Sequence, residues 1–165
     1  MPRPRVYIET TIPSAYYTSR TDPDNVERRD RTRRWWHLVS AGYELVTSLG
    51  VVQELADGRS RHVPARLELH NGLRWLEVTE AVSETVGRYI AQKLMPAKPS
   101  GDALHLALAS HHSCDVLLTW NYRHLANVTK FDRIRRINEQ IGIPVPLITT
   151  PTRLLGGEDG EGLAP

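Results

Sequence analysis

Four polar residues of this sequence have the types and the spacing that hydrolytic chemistry requires. They are Glu9, Glu54, Asp102 and Asn121. Three carboxylates in one cleft repel each other unless a cation neutralises them, and oxygen ligands suit Mg²⁺ or Mn²⁺. Such a site typically activates water for in-line attack on a phosphodiester bond. The set therefore predicts a divalent-metal site, provided that the fold brings the four side chains together.

Asp102 lies in the first turn of the most apolar predicted helix. This helix is expected to begin after Pro99, with Ser100 in the N-cap position. From Ala103 onward its residues are nearly all small or aliphatic, which is typical of a helix buried in the middle of a domain. His105 follows three residues later and therefore shares a face with Asp102. Taken alone, Asp102 has a second interpretation, because a carboxylate also complements the positive N-terminus of a helix.

Glu9 and Asn121 both follow predicted strands. Residues 6–8 and 116–118 are short apolar runs of the kind found in central parallel strands. The first run ends at Glu9, and the second is followed by Thr119 and Asn121. Open α/β sheets place their ligand sites at the carboxyl ends of strands, so both residues are expected at one sheet edge. The alternative for Glu9 is a strand-end acid that faces solvent.

Glu54 belongs to a predicted helix over residues 49–56, which follows a strand over residues 44–47. Ser48 is expected to cap this helix. Glu54 stands among the apolar residues Val51, Val52 and Leu55. It is therefore either an ordinary surface glutamate or the third acid of the predicted site.

Strand and helix signals alternate along the chain. Further strands are predicted over residues 75–78 and 145–149, and Pro146 places the last of them at a sheet edge. Further helices are predicted after Thr11 and over residues 26–41, 62–72, 82–94 and 130–141, with a short helical turn over residues 151–155. This alternation predicts an α/β fold with a mainly parallel sheet of about five strands and helices on both faces.

The composition sets the limits of class and location. The chain has 165 residues and a net charge of +2, which fits one domain and permits an anionic partner without requiring one. It has one cysteine, so no internal disulfide forms, as in a reducing cytosol. No stretch resembles a membrane span or a signal peptide, and we expect a cytoplasmic protein. Residues 1–155 are expected to form a single domain, and the acidic, glycine-rich residues 156–165 a disordered tail.

One predicted helix carries a cluster of arginines and allows two interpretations. An arginine-rich face could bind phosphates. A run of charges can equally be the solvated face of a helix. The arginines are Arg28, Arg29, Arg31, Arg33 and Arg34.

Several other kinds of site are absent from the sequence. It contains no glycine-rich phosphate loop, no Cys/His zinc spacing and no nucleophile-elbow pattern. The pair His111-His112 is interpreted as two surface histidines rather than as metal ligands. The dispersed carboxylates therefore remain the main candidates for catalysis.

Four motifs resemble those of PIN-domain ribonucleases, particularly the VapC-like toxins of toxin–antitoxin pairs. Val-Tyr-Ile-Glu-Thr-Thr-Ile-Pro-Ser at residues 6–14 resembles the family's opening strand, with Glu9 where Asp is usual. Glu54 in Val-Val-Gln-Glu-Leu matches the helix-borne acid. Gly-Asp-Ala-Leu-His-Leu-Ala-Leu-Ala at residues 101–109 is similar to the third acidic motif and is the most specific of the four. Leu-Leu-Thr-Trp-Asn at residues 117–121 has Asn121 where the family commonly has a fourth acid.

The resemblance implies a PIN-like three-layer α/β/α domain with Mg²⁺- or Mn²⁺-dependent endoribonuclease activity. It implies that Glu9, Glu54 and Asp102 bind the metal, directly or through water, and that one of them accepts a proton from the attacking water. Asn121 would orient water or metal, although its lack of charge puts a second metal in doubt. Thr10 or Thr11 would contact the phosphate or support Glu9, and nearby arginines and lysines would hold RNA.

The same resemblance implies partners for the chain. Homodimers are common in the family, and its toxins are silenced by a small antitoxin that fills the cleft. The alternative is a catalytically weakened PIN-fold module, in which Asn121 marks the loss of full metal binding. Such a module would bind nucleic acid or a protein partner without cleaving.

Overall fold

The chain folds around a five-stranded parallel sheet. The structure is a computed structural model that describes residues 2–98 and 101–156. The strands are β1 Arg5–Ile8, β2 Glu44–Thr47, β3 Arg74–Trp75, β4 Val116–Leu118 and β5 Leu147–Thr149. Their order across the sheet is β3-β2-β1-β4-β5, and every pair is parallel. The predicted α/β class and the number of strands are confirmed.

Eight α-helices lie within the described ranges. They are α1 Thr11–Tyr16, α2 Pro23–Leu38, α3 Leu49–Ala56, α4 Val63–His70, α5 Glu80–Ala91, α6 Gly101–His111, α7 Phe131–Ile141 and α8 Pro151–Leu155. Short 3-10 turns occupy Ser40–Gly42 and Val128–Lys130. No helix of these ranges is both long and apolar enough to cross a membrane.

Apolar side chains on both faces of the sheet produce the three layers. Val6 and Ile8 point to one face of β1 and Tyr7 to the other, as the two-residue period of a strand requires. The Val6 side packs with α1, α2 and α8 through Ile12, Trp35 and Leu155. The Tyr7 side packs with α3, α5, α6 and α7. The core on this side includes Val51, Val82, Tyr89, Leu106, Leu108, Ile134 and Ile137. Strands covered on both faces are uniformly apolar, which explains the runs at β1 and β4.

Several element boundaries differ from the predicted ones. Helix α2 begins at Pro23 because Asp22 caps it, accepting a hydrogen bond from the Asn25 amide at 3.2 Å. Strand β3 spans only two residues, and both are exposed. Helix α5 ends at Ala91, two residues before Lys93, which has a φ of 57°. The predicted cap Ser100 and nearly all of the predicted tail lie outside the described residues.

The strand order creates a crevice beside β1. The chain runs from β1 to β2 and β3 on one side, and then crosses to β4 and β5 on the other side. The carboxyl ends of β1 and β4 therefore flank a topological switch point, where open α/β sheets bind ligands. Glu9 follows β1, and Thr119 follows β4.

Two glycines let α3 approach α6 closely beside this crevice. A Cβ atom on Gly50 would lie 2.9 Å from Leu104 Cδ2, and one on Gly101 would lie 2.9 Å from Glu54 Oε2. Both contacts are with the ends of flexible side chains, so an alanine at either position would displace Leu104 or Glu54. The close approach places Glu54 against the first turn of α6, next to Asp102.

Candidate active site

Glu9 is a buried carboxylate held by two threonines. Glu9 as a whole residue is 3% exposed. The hydroxyls of Thr11 and Thr119 each donate to Oε1 at 2.5 Å, and the Thr11 amide donates to Oε2 at 3.1 Å. Burial raises the pKa of Glu9, although the charge of His105 and the threonine hydrogen bonds oppose this effect. The alternative interpretation of the sequence required Glu9 to face solvent. The structure shows that it does not.

The same threonines join the ends of β1 and β4. The Thr11 hydroxyl accepts a hydrogen bond from the Trp120 amide at 2.8 Å. The Thr119 hydroxyl accepts one from the Asn121 amide at 2.9 Å. The backbone that carries Asn121 is thus fixed relative to the Glu9 carboxylate.

A chain of buried hydrogen bonds positions Glu54. The Tyr7 hydroxyl lies 2.7 Å from both Ser48 Oγ and His105 Nδ1. On its other side, His105 Nε2 bonds Glu54 Oε1, which also accepts from Thr10 Oγ1 at 2.8 Å. His105 is fully buried, whereas the Glu54 side chain is 39% exposed. Glu54 therefore meets solvent with one side while His105 and Thr10 fix the other.

His105 supplies positive charge among the acids. Burial alone would lower the pKa of His105, but the Glu54 hydrogen bond and the charges of Glu9, Glu54 and Asp102 outweigh it and raise that pKa. Burial would likewise raise the pKa of Glu54, but the hydrogen bond and charge of His105 outweigh burial and lower it. The imidazolium form thus offsets part of the repulsion among the carboxylates.

Asp102 pairs with Asn121 at the start of α6. Asn121 Nδ2 donates to Asp102 Oδ1 at 3.1 Å, and Asn121 Oδ1 accepts from the His124 amide at 3.0 Å. Burial raises the pKa of Asp102, and the nearby charge of Glu54 adds to this, against the opposing effects of His105, His124 and Asn121. The position expected for a fourth acid is therefore occupied by an amide that binds Asp102.

The structure brings all four predicted residues to one edge of the sheet, around His105. His105 bonds Glu54 directly and interacts electrostatically with Glu9 and Asp102. The predicted role of Thr11 as a support for Glu9 agrees with its two hydrogen bonds, while Thr10 contacts Glu54 instead.

Sequence reasoning assigned no role to three residues that shape the site. Tyr7 lies on β1 and Thr119 directly follows β4, and both strands appear in the sequence simply as apolar runs. His105 gave a usable signal, because it is the only other ionisable residue within the apolar stretch 101–109. Its position three residues after Asp102 could have marked it as a site residue.

The oxygen-rich side chains are of the kind that binds a hard divalent cation. Within residues 2–98 and 101–156, no three carboxylate, imidazole or thiol groups are arranged to hold one metal ion. Glu9 and Glu54 instead bind threonines and His105. The side chains are therefore chemically suited to such a cation. For all three acids to ligate it, Glu9 and Glu54 would have to turn away from the threonines and His105.

The two other groups noted in the sequence are placed elsewhere. His111 bonds the Thr85 hydroxyl at 2.7 Å, and His112 bonds the Glu77 carbonyl oxygen at 2.8 Å. Of the arginines on α2, Arg33 donates to the Tyr16 carbonyl at 2.9 Å and Arg28 lies over two aromatic rings. The arginine-rich face is therefore not purely a solvated surface.

Comparison with known proteins adds independent information. A family model described as PIN domain matches residues 6–130. Two solved structures resemble the fold: VapBC2 from Rickettsia felis bound to a DNA fragment from its promoter, and VapBC-1 from nontypeable Haemophilus influenzae. Among curated proteins, none matches the chain significantly.

The structural likeness extends over most of each chain. The Rickettsia match has a TM-score of 0.56 and 15% identity, and covers 88% of this chain and 98% of the other. The Haemophilus match has a TM-score of 0.54 and 16% identity, and covers 90% and 98%. At these identities the likeness is one of fold. The family match spans most of the sequence and includes all four motifs, so the chain belongs to the PIN domain family, whose members are nucleases.

Proposed function

We propose that this chain is a Mg²⁺- or Mn²⁺-dependent endoribonuclease and the toxin of a toxin–antitoxin pair. The observation that carries this proposal is the placement of Glu9, Glu54 and Asp102 around His105 at the switch point of the sheet. Glu54 pairs with His105, but ion pairing does not account for Glu9 and Asp102 at the same crevice, since burial raises the pKa of both. A site that binds a cation uses this arrangement.

In the proposed reaction, water attacks the phosphorus atom of an RNA phosphodiester. A new oxygen–phosphorus bond forms while the bond to the leaving oxygen breaks, and the leaving oxygen takes up a proton. Glu9, Glu54 and Asp102 would hold the cation, and one of them would accept the proton of the attacking water. The cation would supply neutralising charge for the phosphate and its attacking water.

The neighbouring residues would position these groups. Thr11 and Thr119 fix the Glu9 carboxylate, and His105 fixes Glu54. Asn121 would orient water or the cation through its amide, which already contacts Asp102. Each candidate ligand thus has a hydrogen-bond partner at the crevice.

The proposed partners follow from the family and from the neighbouring structures. Both neighbours are VapBC proteins, in keeping with a small antitoxin as a partner of this chain. We further propose RNA as the substrate, a homodimer as the assembly and the cytoplasm as the location. The catalytic unit would be the single domain of residues 1–155.

Two observations favour a second candidate function. Asn121 supplies an uncharged amide to Asp102, and the described acids are not arranged as a ready metal site. A PIN module that binds nucleic acid or a protein partner without cleaving would show both features.

Cleavage of single-stranded RNA in Mg²⁺ or Mn²⁺, compared with excess EDTA, separates these functions. The proposed nuclease cuts only in the presence of the divalent ion, and Asp102→Asn abolishes the cutting. RNA binding without cleavage in either ion would support the non-cleaving module. Undiminished cleavage in EDTA would contradict the metal-dependent mechanism.

A further inference from the structure

An exposed aromatic residue lies directly beside the candidate active site. Tyr122 follows Asn121 in the chain and is 52% exposed. Asn121 binds Asp102 and accepts hydrogen bonds from the turn that follows it, through its side chain from His124 and through its backbone oxygen from Ala126. The turn that carries Tyr122 is therefore anchored to the candidate active site.

An arginine from α2 stacks on this ring. The Arg28 guanidinium carbon lies 5.7 Å from the Tyr122 ring centroid and 5.6 Å from that of Trp120. Trp120 is itself fixed, because it is 6% exposed and its indole Nε1 donates to Thr32 Oγ1 at 2.9 Å. Trp120 thus fixes the guanidinium, and the guanidinium supports the Tyr122 ring.

The Tyr122 ring borders two hollows. Arg28 and Trp120 line the first hollow but not the second. The second has a volume of about 290 Å³ and apolar walls formed by Val128, Phe131 and Ile148. This volume is at the lower end of the range for small-ligand sites, about 300–1,000 Å³. The hollow therefore suits one flat apolar group stacked on the tyrosine.

The first hollow is lined by the acids Asp24 and Glu27 as well as by Arg28, whereas Arg153 is the charged residue that lines the second. Arg153 and Thr150 border both hollows, so a cationic side chain lies beside the Tyr122 ring together with Arg28. An arginine near an aromatic platform is the combination with which proteins bind single-stranded nucleic acid, since the base stacks while the cation meets the phosphate. A purely apolar protein segment would make no use of these cations.

We propose that Tyr122 is the platform of a nucleobase subsite, on which one base of a single-stranded RNA stacks in the hollow of Phe131 while its phosphates meet Arg28 and Arg153. This subsite rests on the proposed function, because it would place the scissile phosphate beside Asn121 and Asp102. Asn127, the amide on this wall, already bonds Thr129 and the Arg123 carbonyl. The Asn127 side chain is therefore engaged within the protein rather than with a base.

The test measures the affinity of a single-stranded RNA oligonucleotide in EDTA by fluorescence anisotropy. Stacking on an aromatic side chain corresponds to a loss of about five- to a hundredfold on removal of the ring. Tyr122→Ala should weaken binding by this factor, and Tyr122→Phe should retain it. The matched control is Trp75→Ala, because Trp75 is 53% exposed and lies on β3 at the opposite edge of the sheet. It should bind as the wild type does.

A set of oligonucleotides with a single abasic position completes the test. At one position, loss of the base should weaken wild-type binding by the same factor, and Tyr122→Ala should then cause no further loss. Fully additive losses at every position, or unchanged binding by Tyr122→Ala, would overturn the proposal. If the wild type cuts RNA while Tyr122→Ala binds RNA as tightly as the wild type, only this inference fails. If the wild type neither binds nor cuts RNA, the proposed function fails.

Discussion

Two acids of the site, Glu9 and Asp102, are held in a state that costs the folded protein free energy. Burial raises the pKa of Glu9 and of Asp102, which means that each is less stable as an anion in the folded chain than in the unfolded one. His105 offsets only part of this cost. Residues that oppose folding in this way are typical of functional sites rather than of structural ion pairs.

Asp102→Asn separates the two interpretations of this residue. Removing a carboxylate whose pKa is raised should stabilise the metal-free protein at neutral pH, so its melting temperature should rise slightly. The same change should abolish the rise in melting temperature that Mn²⁺ causes in the wild type, since a ligand stabilises only the state that binds it. Cleavage of RNA should fall by orders of magnitude.

Asp132→Asn is the matched control for this substitution. Asp132 also lies in the first turn of a helix, but its side chain is 70% exposed and pairs with Arg135. Its loss should cost at most about 1 kcal/mol and leave cleavage unchanged. If Asp102→Asn behaves like this control, melting lower and cutting normally, Asp102 only complements the helix N-terminus.

At the scale of elements, the contact of α3 with α6 sets the position of Glu54. Gly101→Ala tests this contact, because the new Cβ would meet Glu54 Oε2 at 2.9 Å and Cδ at 3.2 Å. The Glu54 carboxylate is the end of a flexible, partly exposed side chain, so it should move while the fold persists. We expect a melting temperature within a few degrees of the wild type and a loss of cleavage of about tenfold or more.

The control is Gly87→Ala in α5. A Cβ atom at Gly87 would meet no atom within 4 Å. Alanine is favoured over glycine inside a helix by up to about 1 kcal/mol, so this variant should be slightly more stable and fully active. Equal activity of both alanine variants would show that α6 does not need to approach Glu54 closely.

The contact of α4 with β2 predicts a pH dependence of stability. His70 is 1% exposed and bonds the Thr47 hydroxyl, and burial lowers its pKa from 6.5 to about 4. The unfolded chain therefore binds an extra proton between these pH values, so stability falls as the pH decreases from about 6.5 to about 4. A shift of this size corresponds to about 3 kcal/mol. Urea unfolding of the wild type and of His70→Asn at several pH values across this range checks the prediction. An equal dependence of the unfolding free energy on pH in both proteins would contradict it.

The elements that sequence predicted best are those with strong local signals. The bounds of β2, α3 and β4 were predicted to the residue, because apolar runs and helix periodicity coincide with their burial. The predicted strand over residues 75–78 was too long, since β3 is an exposed edge whose length depends on its pairing with β2. Ser48 occupies the predicted N-cap, but its hydroxyl contacts Tyr7 instead of the helix.

The acids of the site could be predicted from the sequence, but the residues that form hydrogen bonds with them could not. Glu9 and Asn121 follow apolar runs, and parallel strands bring their carboxyl ends to one edge. The bonds of Thr119 to Glu9 and of His105 to Glu54 join residues 110 and 51 positions apart. No local pattern of residues encodes contacts over such separations.

For the molecule as a whole, the PIN fold gathers the candidate acids at one crevice. The strand order puts β1 at the centre of the sheet, between β2 and β4, so the acids converge at its end. The hollow beside Tyr122 lies at the end of β5, where Ile148, Thr149 and Thr150 line it. One face of the domain could therefore both bind a strand and cut it.

The most direct test of the proposed metal site is anomalous diffraction from crystals soaked in millimolar Mn²⁺. The proposed function predicts an anomalous peak at the crevice, with Asp102 and at least one of Glu9 and Glu54 as ligands. Direct carboxylate ligands should lie about 2.0–2.6 Å from the ion. A crevice without a peak, or a peak elsewhere in a protein that cuts RNA, would contradict the assignment of these acids as the catalytic metal site.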